Sequence, residues 1–527
     1  MNLQSLLYKM DYVLLQEVLP LYKIEIENIV CDSKRTKRGD LFVCINGTAR
    51  DGHDYMEEAW QRGAQVLVVE KMGKHGHLFD FPSNLTVLLV RDCREAYAQM
   101  AANYFGHPAE NLKLIGITGT KGKTTVSMMI RQMLEAQGIR TGLIGTLGIY
   151  DGEEWIFTKN TTPDAFTIQE YFVKMKDKGC EYVVMEVSSQ GMKQKRVYGL
   201  SFLIGVFTNL GEDHVGPGEH ASLSEYRYYK SRLFKVCQIG IGNPDDIQTG
   251  YMFRRTTCEK YGFTCQPEKK ETRMYGESHI LRGENIQLLM EDGIPVTRFE
   301  VKGISVCLQQ PGSFNVYNAL AALSVVECLK LPLDACAKTL ETVFVNGRME
   351  RIPWKENIAC YIDYAHNGMS LKKVLQTMRS YKPSRIIVVF GCGGGRAKIR
   401  RLEMGEAAGL LADEIILTND NPREENPEKI IQDIIEGIKK AEEKAADDEE
   451  KNMKVIMDRW MAVAEAIREA RAGDIVLIAG KGHEKYQEIH GVRYYMDDHE
   501  LVRDAMRQRE LLQKRELLQK QQDSPGQ

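Results

Sequence analysis

At 527 residues the chain is too long for one ordinary hydrophobic core, which rarely grows beyond about 250–300 residues, so three domains are expected. Hydrophobic residues make up 43% and charged residues 27%, as in folded globular proteins, which excludes a disordered chain. The 70 basic and 73 acidic residues are interspersed and sum to a formal charge of -3. That balance excludes a global field suited to nucleic acid or an anionic membrane, so an anionic ligand needs a local site.

The start, MNLQSLLYKMDYVLL, lacks the basic, apolar and small-residue succession of a secretory signal. No apolar run approaches the roughly 18–20 residues that span a bilayer, and a cytoplasmic, monomeric protein is expected. The twelve cysteines contain no C-x-x-C pair, and Cys307, Cys328 and Cys360 lie in apolar stretches typical of buried, reduced thiols.

From about residue 26 to 95, short apolar runs such as DLFVCING and LTVLLV alternate with helical stretches, predicting a small α/β domain over 1–108. A second domain, 109–345, opens on the buried-strand pattern LKLIGITG and continues with EYVVMEV (181–187) and FLIGVFTNL (202–210). Continuous apolar strands separated by helices indicate a parallel sheet covered on both faces. A third set, RIIVVFG (385–391), EIILTND (414–420) and DIVLIAG (474–480), alternates with helical patterns at 426–447 and 459–471. It predicts a Rossmann-like, doubly wound domain over 346–505, with a new strand, IACYIDYA, after GRME. The repeated RELLQK within 506–527 reads as a charged helix or a frayed tail.

Gly119-Thr120-Lys121-Gly122-Lys123-Thr124-Thr125 follows the strand LKLIGIT and precedes the helical pattern VSMMIRQMLEAQG. Strand, glycine-rich turn and helix form the context of a phosphate loop: backbone amides and the helix N-terminus face phosphate, Lys123 adds a cation, and Thr124 can hold magnesium. Ile117 stands where the full Walker spacing has its first glycine. ATP is therefore the expected nucleotide, a merely basic turn being the alternative.

Further segments follow in order. They are Asn160-Thr161-Thr162-Pro163-Asp164, Glu186-Val187-Ser188-Ser189, Thr208-Asn209 with Asp213-His214, and Tyr229-Lys230-Ser231-Arg232-Leu233-Phe234. Then come Gly312-Ser313-Phe314-Asn315-Val316-Tyr317-Asn318, Gly347-Arg348-Met349-Glu350, Asp363-Tyr364-Ala365-His366, Asp420-Asn421-Pro422-Arg423 and Gly480-Lys481-Gly482-His483-Glu484. Any one of these is weak, but together and in this order they resemble the Mur ligase family, with coverage from about Asp32 to Glu500.

The resemblance implies three α/β domains that bind a UDP precursor, ATP and an amino acid in turn. It implies an ATP- and magnesium-dependent ligase of peptidoglycan precursor synthesis that activates a carboxylate as an acyl phosphate for attack by an amine. The order of segments resembles the branch that adds a third residue, a diamino acid, to a UDP-N-acetylmuramoyl dipeptide.

Residue roles follow from the same resemblance. Thr124, Glu186, His214 and Lys230 match the magnesium site, Lys230 as a carbamate (N6-carboxylysine); a strand-end carboxylate or a solvated lysine is the plain alternative. Asn315 and Asn318 match the adenine site, and Arg348 and Asp363 match residues that meet the nucleotide. Ser33 and Thr48 match uridine positions, and Thr161, Thr162, Ser188, Gln194 and Arg196 match the sugar and peptide.

For the amino acid, Arg401, Asp420, Asn421, Arg423, Gly480 and Glu484 match. Arg423 follows the strand EIILT and can grip a carboxylate through two parallel hydrogen bonds, which favours meso-diaminopimelate over L-lysine. Departures pull the other way: Gln190 replaces a usual histidine, Gly395 and Ala397 replace two acids, and the segment GPGEH leans towards lysine. Another amide ligase of the superfamily and a catalytically silent nucleotide-binding protein are the remaining alternatives.

Overall fold

The computed structural model describes residues 1–47, 50–70, 82–211, 216, 219–267, 279–354, 356–443 and 452–522. Thr48 and His214 lie outside them, as do the acids at 212 and 213 and residues 217 and 218 of the GPGEH segment. The chain divides into two compact units, Met1–Ile280 with Ala321–Leu331, and Leu281–Leu320 with Pro332–Gln527. Breaks at 108 and 345 were expected; the first unit holds the first expected domain and most of the second, whose residues 281–320 and 332–345 fall in the second unit.

In the first unit, Val13–Gln16 pairs antiparallel with Thr86–Leu89, and Val66–Val69, Leu41–Val43 and Ile29–Val30 continue that sheet in parallel. Alternate residues of Val66–Val69 enter separate cores: Val66 and Val68 pack with Leu41 and Leu88, Leu67 and Val69 with Phe42 and Val87. That is the period-two signature of a strand covered on both faces.

The larger sheet of this unit places Lys113–Thr118 between Phe202–Phe207 and Tyr182–Glu186, all parallel, with Thr141–Gly145 beyond the latter and Cys237–Gly242 beyond the former. Connections therefore leave Lys113–Thr118 in opposite directions, and the carboxyl ends at such a switch point open a crevice for ligand. The helix Lys123–Ala136 packs over the sheet through Val126, Met129, Ile130, Met133 and Leu134, spaced as one helical face.

In the second unit an antiparallel sheet of Glu284–Glu291, Ile294–Val301 and Ile304–Leu308 accompanies a six-stranded one. The sequence reading missed the antiparallel sheet, because its polar residues alternate over one face and give no continuous apolar run. The six strands run Glu350–Ile352, Ala359–Asp363, Ile475–Ala479, Ile386–Phe390, Glu414–Leu417 and Asn452–Val455, parallel except for the first. Ile386, Val388 and Phe390 face one core, Ile387 and Val389 the other.

Helices Lys398–Leu411 and Pro427–Glu442 approach closely because Gly405 and Gly437 present no side chain: a Cβ on either would collide with a carbonyl of the opposite helix. The last helix among the described residues, Asp498–Gln522, takes in the repeat. All twelve cysteines are free thiols; Cys360 is buried as expected, whereas Cys307 and Cys328 are only half-buried. No helix among the described residues is long and apolar enough to cross a membrane.

Candidate active site

In the first unit the phosphate loop leaves Lys113–Thr118 through Gly119 (φ 153°) and enters its helix through Gly122 (φ 86°), a left-handed conformation that favours glycine. A Cβ on Gly119 would collide with the Thr208 hydroxyl, so the close approach of the next strand end also requires glycine there. Thr208 donates to the Lys121 carbonyl (2.7 Å), and the Asn209 side chain both donates to that carbonyl (3.1 Å) and accepts from the Lys121 amide (3.0 Å). Thr120 donates its amide to the Asn209 carbonyl at 2.8 Å. The Thr208-Asn209 segment thus acts as a template for the loop.

Lys123 curls back, its Nζ donating to the carbonyls of Gly119 (3.0 Å) and Thr120 (3.2 Å). Lys230, on the helix Leu223–Ser231, reaches the same Gly119 carbonyl at 2.7 Å, with its ammonium 4.3 Å from the centre of the Tyr226 ring. Lys230 is 2% exposed, an uncommon setting for lysine.

Glu186 is fully buried at the carboxyl end of its strand. Its carboxylate accepts from the Thr124 hydroxyl (3.1 Å), the Thr146 amide (2.9 Å) and the Thr146 hydroxyl (3.1 Å). A Cβ on Gly145 would occupy the carboxylate's place. These clustered oxygens are the hard donors that suit magnesium, so Thr124 and Glu186 fit such an ion.

Of the residues matched to the UDP precursor, Ser33, Gln194 and Arg196 line one cavity of about 580 Å³. Ser33 donates to Glu58 at 2.8 Å, and Arg196 donates to the Thr162 carbonyl (2.6 Å) and to Gln194 (2.7 Å). Lys34, Arg50, Arg94 and Lys195 also line the cavity; these cations suit a diphosphate, and the sequence reading missed them because they occur in no motif. Thr162 is instead fully buried, donating to the Glu186 carbonyl (2.8 Å) and to Ser188 (3.0 Å), while Thr161 meets Thr146 at 3.0 Å. Those three residues brace the Glu186 strand end.

In the second unit the loops after Ala359–Asp363, Ile386–Phe390, Glu414–Leu417 and Ile475–Ala479 gather at the carboxyl edge of the parallel sheet. Glu484 accepts from Tyr364 (3.1 Å) and Asn421 (3.1 Å), and buried Lys481 donates to Asn421 at 3.1 Å and lies 3.6 Å from Glu484. Gly480 leaves room for Asp420: an added Cβ would lie 2.8 Å from the Asp420 carboxylate. Arg423, at φ 53°, donates from Nη1 to the Gly394 carbonyl and lies 3.5 Å from Glu488 through Nε.

Arg401 is engaged otherwise. It is buried, with bonds to both Glu425 oxygens (2.9 and 2.8 Å) and to Asp433 (3.0 Å). Its charge is neutralised inside the unit, and Glu425 also accepts the Gly395 amide, so Glu425 supplies a carboxylate to a loop whose own positions 395 and 397 carry none.

Asp363 accepts the Met349 amide at 2.8 Å, and the Arg348 guanidinium lies 4.7 Å from the Tyr364 ring centre. Asn318 donates to Asn315 (2.8 Å), which donates to the Pro311 carbonyl (2.9 Å).

Glu350, which follows Met349 and opens the strand Glu350–Ile352, accepts the Gly347 amide (2.6 Å) and meets His499 Nε2 at 2.6 Å, while His499 Nδ1 meets Asp497 at 2.7 Å. Despite burial, the two carboxylates raise the His499 pKa from 6.5 to about 9. A raised folded-state value contributes stability that is complete below about pH 6.5 and lost as pH rises through about 9. The unfolding free energy of wild type minus that of His499→Gln should therefore shrink by on the order of 3 kcal/mol across that window. Denaturant titrations at pH 6 and pH 9.5 check this, and a pH-independent difference would contradict it.

Three stretches match sequence profiles: 25–105 the Mur ligase family, catalytic domain, 117–326 the Mur ligase middle domain, and 347–482 the Mur ligase, glutamate ligase domain. A UDP-N-acetylmuramoyl-L-alanyl-D-glutamate--2,6-diaminopimelate ligase of Clostridium botulinum is 35% identical over 511 residues, covering 96% of this chain and 100% of its own. The enzyme of the same name from Caldanaerobacter subterraneus is 37% identical over 495 residues, covering 92% and 96%. A solved structure with that name aligns with a TM-score of 0.66 at 27% identity, covering 97% of this chain and 99% of the other.

Proposed function

We propose, from the premise that this chain belongs to the Mur ligase family, that it is an ATP-dependent ligase joining meso-diaminopimelate to UDP-N-acetylmuramoyl-L-alanyl-D-glutamate. The observation that carries this reading is the phosphate loop with Lys123 at its mouth and Thr124 bonded to the strand-end carboxylate of Glu186. The two relatives named for this reaction, alike over nearly their whole length, support the choice of substrates.

An unactivated carboxylate is a poor acyl donor. In the first step an oxygen of the glutamyl carboxylate attacks the γ-phosphorus of ATP, and the bond to ADP breaks. In the second, an amine of diaminopimelate attacks the acyl carbon; phosphate leaves with the bonding pair, and the amine loses a proton. Phosphoryl transfer depends mainly on positioning and neutralisation of charge. The amides at the start of the helix Lys123–Ala136 and the Lys123 ammonium hold phosphate oxygens; Arg348 and Asp363 of the second unit are the residues that the family resemblance assigns to the nucleotide. Magnesium held by Thr124 and Glu186 would neutralise phosphate charge there. The cavity containing Ser33, Gln194 and Arg196 takes the UDP precursor, while Asp420, Asn421, Arg423, Gly480 and Glu484 take the diamino acid.

Phosphate release from ATP should require both the UDP-dipeptide and a diamino acid, with diaminopimelate preferred in a panel of amino acids. Release that ignores the precursor, or none at all, would overturn the reading.

Lys230 is assigned the carbamylated position. Its amine would add to carbon dioxide with loss of a proton, turning a buried cation into an anion able to hold a second magnesium. Lys230→Ala should lose activity, and bicarbonate should partly restore wild-type enzyme depleted of it. An active alanine variant with normal magnesium dependence would remove the role.

A further inference from the structure

We infer that the turn Asp497-Asp498-His499, at the start of the last helix, is a positioning element that holds the nucleotide-side and amino-acid-side residues of the second unit in one frame. The inference rests on the proposed ligase reading for its functional consequence. Its structural basis is independent of that reading.

Asp498 and Arg459 form an ion pair with side chains 0% and 1% exposed, joined by two 2.7 Å bonds from Nε and Nη2. The same guanidinium donates to the Ala479 carbonyl (3.1 Å) and the Asn419 carbonyl (3.4 Å). Ala479 immediately precedes Gly480, and Asn419 immediately precedes Asp420. One rigid, planar fork therefore sets the spacing of the two strand ends that lead into the amino-acid loops. A buried ion pair is weak evidence for stability, since desolvation offsets most of its attraction. Fixed geometry is the better account of this one.

The next residue reaches the other side. His499 bonds to Glu350, and Glu350 accepts the amide of Gly347, the residue before Arg348. Asp497 holds the far ring nitrogen of His499 and is itself 3.2 Å from Lys485, which follows Glu484. Adjacent residues of one turn thus reach the backbone on both sides, although none of the three matches a ligand position. They are positioning residues, acting through Arg459 and Glu350.

The test uses the full chain with Asp498→Asn, Asp498→Glu and His499→Gln, each read by hydrogen exchange and by steady-state kinetics. Asp498→Asn should speed exchange in peptides spanning 418–425 and 480–488, and His499→Gln in those spanning 345–350. With ligation measured, Asp498→Asn should raise KM for the diamino acid on the order of 10–100-fold, the usual scale for losing a group that orients a ligand-binding residue. KM for the UDP precursor should stay as in wild type, and Asp498→Glu should recover part of the loss. His499→Gln should raise KM for ATP.

Faster exchange confined to 497–522, or a lower unfolding midpoint with unchanged KM values, would overturn the inference. If Asp498→Asn does not fold, His499→Gln decides alone through 345–350. A wild-type chain that does not ligate would sink the proposed function, while the exchange measurement would still decide this inference.

Discussion

Lys123→Ala is expected to abolish measurable ligation, with a loss of at least about 10²–10³-fold in kcat, the scale for deleting one preorganised charge contact to a transition state. Its Nζ donates to the loop carbonyls of Gly119 and Thr120, and ATP would draw it onto phosphate. Removing it should therefore leave the fold and the precursor cavity intact. Phosphate release and product formation should fall together, with an unchanged circular dichroism spectrum and unchanged affinity for the UDP precursor. Near-normal turnover would remove the phosphate-loop assignment.

Arg423→Ala is expected to cost about 2–4 kcal/mol in kcat/KM for diaminopimelate, or roughly 30–1000-fold, through loss of a charge-assisted bidentate contact. Diaminopimelate differs from lysine by a second carboxylate at the far amine, so a selective pocket needs a cation. Arg401 is committed to Glu425 and Asp433, whereas the Arg423 guanidinium donates to the Gly394 carbonyl and makes a longer contact with Glu488, which leaves it better able to turn to a ligand. Activity with lysine should change little in the variant. A wild-type preference for lysine, or a variant that keeps its efficiency with diaminopimelate, would contradict this specificity while leaving the ligase reading standing.

What could be read from the sequence depended on how far apart the interacting residues lie in the chain. Strands such as Tyr182–Glu186 and Ile475–Ala479 were legible because burial on both faces demands an unbroken apolar run. Thr124 and Glu186 were legible because each sits at the carboxyl edge of such a strand, or one turn beyond it. Thr146 was not, although it gives Glu186 two hydrogen bonds, because a strand-end threonine without a motif carries no signal.

Arg401 reads as a ligand-side cation until the folded chain brings Glu425 and Asp433 against it, and Arg459 reads as an ordinary helical residue until Asp498 closes on it. Pairings of that kind depend on tertiary structure alone. Cys307 and Cys328 show the reverse limit: apolar neighbours in sequence did not make them fully buried.

The most direct test of the account is the mass of the product formed when wild-type protein, ATP, magnesium, the UDP-dipeptide and an equimolar mixture of diaminopimelate and lysine are combined. The account predicts a new species equal to the precursor plus one diaminopimelate less one water, formed in step with one ADP and one phosphate. A precursor of unchanged mass would contradict the ligase reading, and a product carrying lysine would contradict the choice of amino acid.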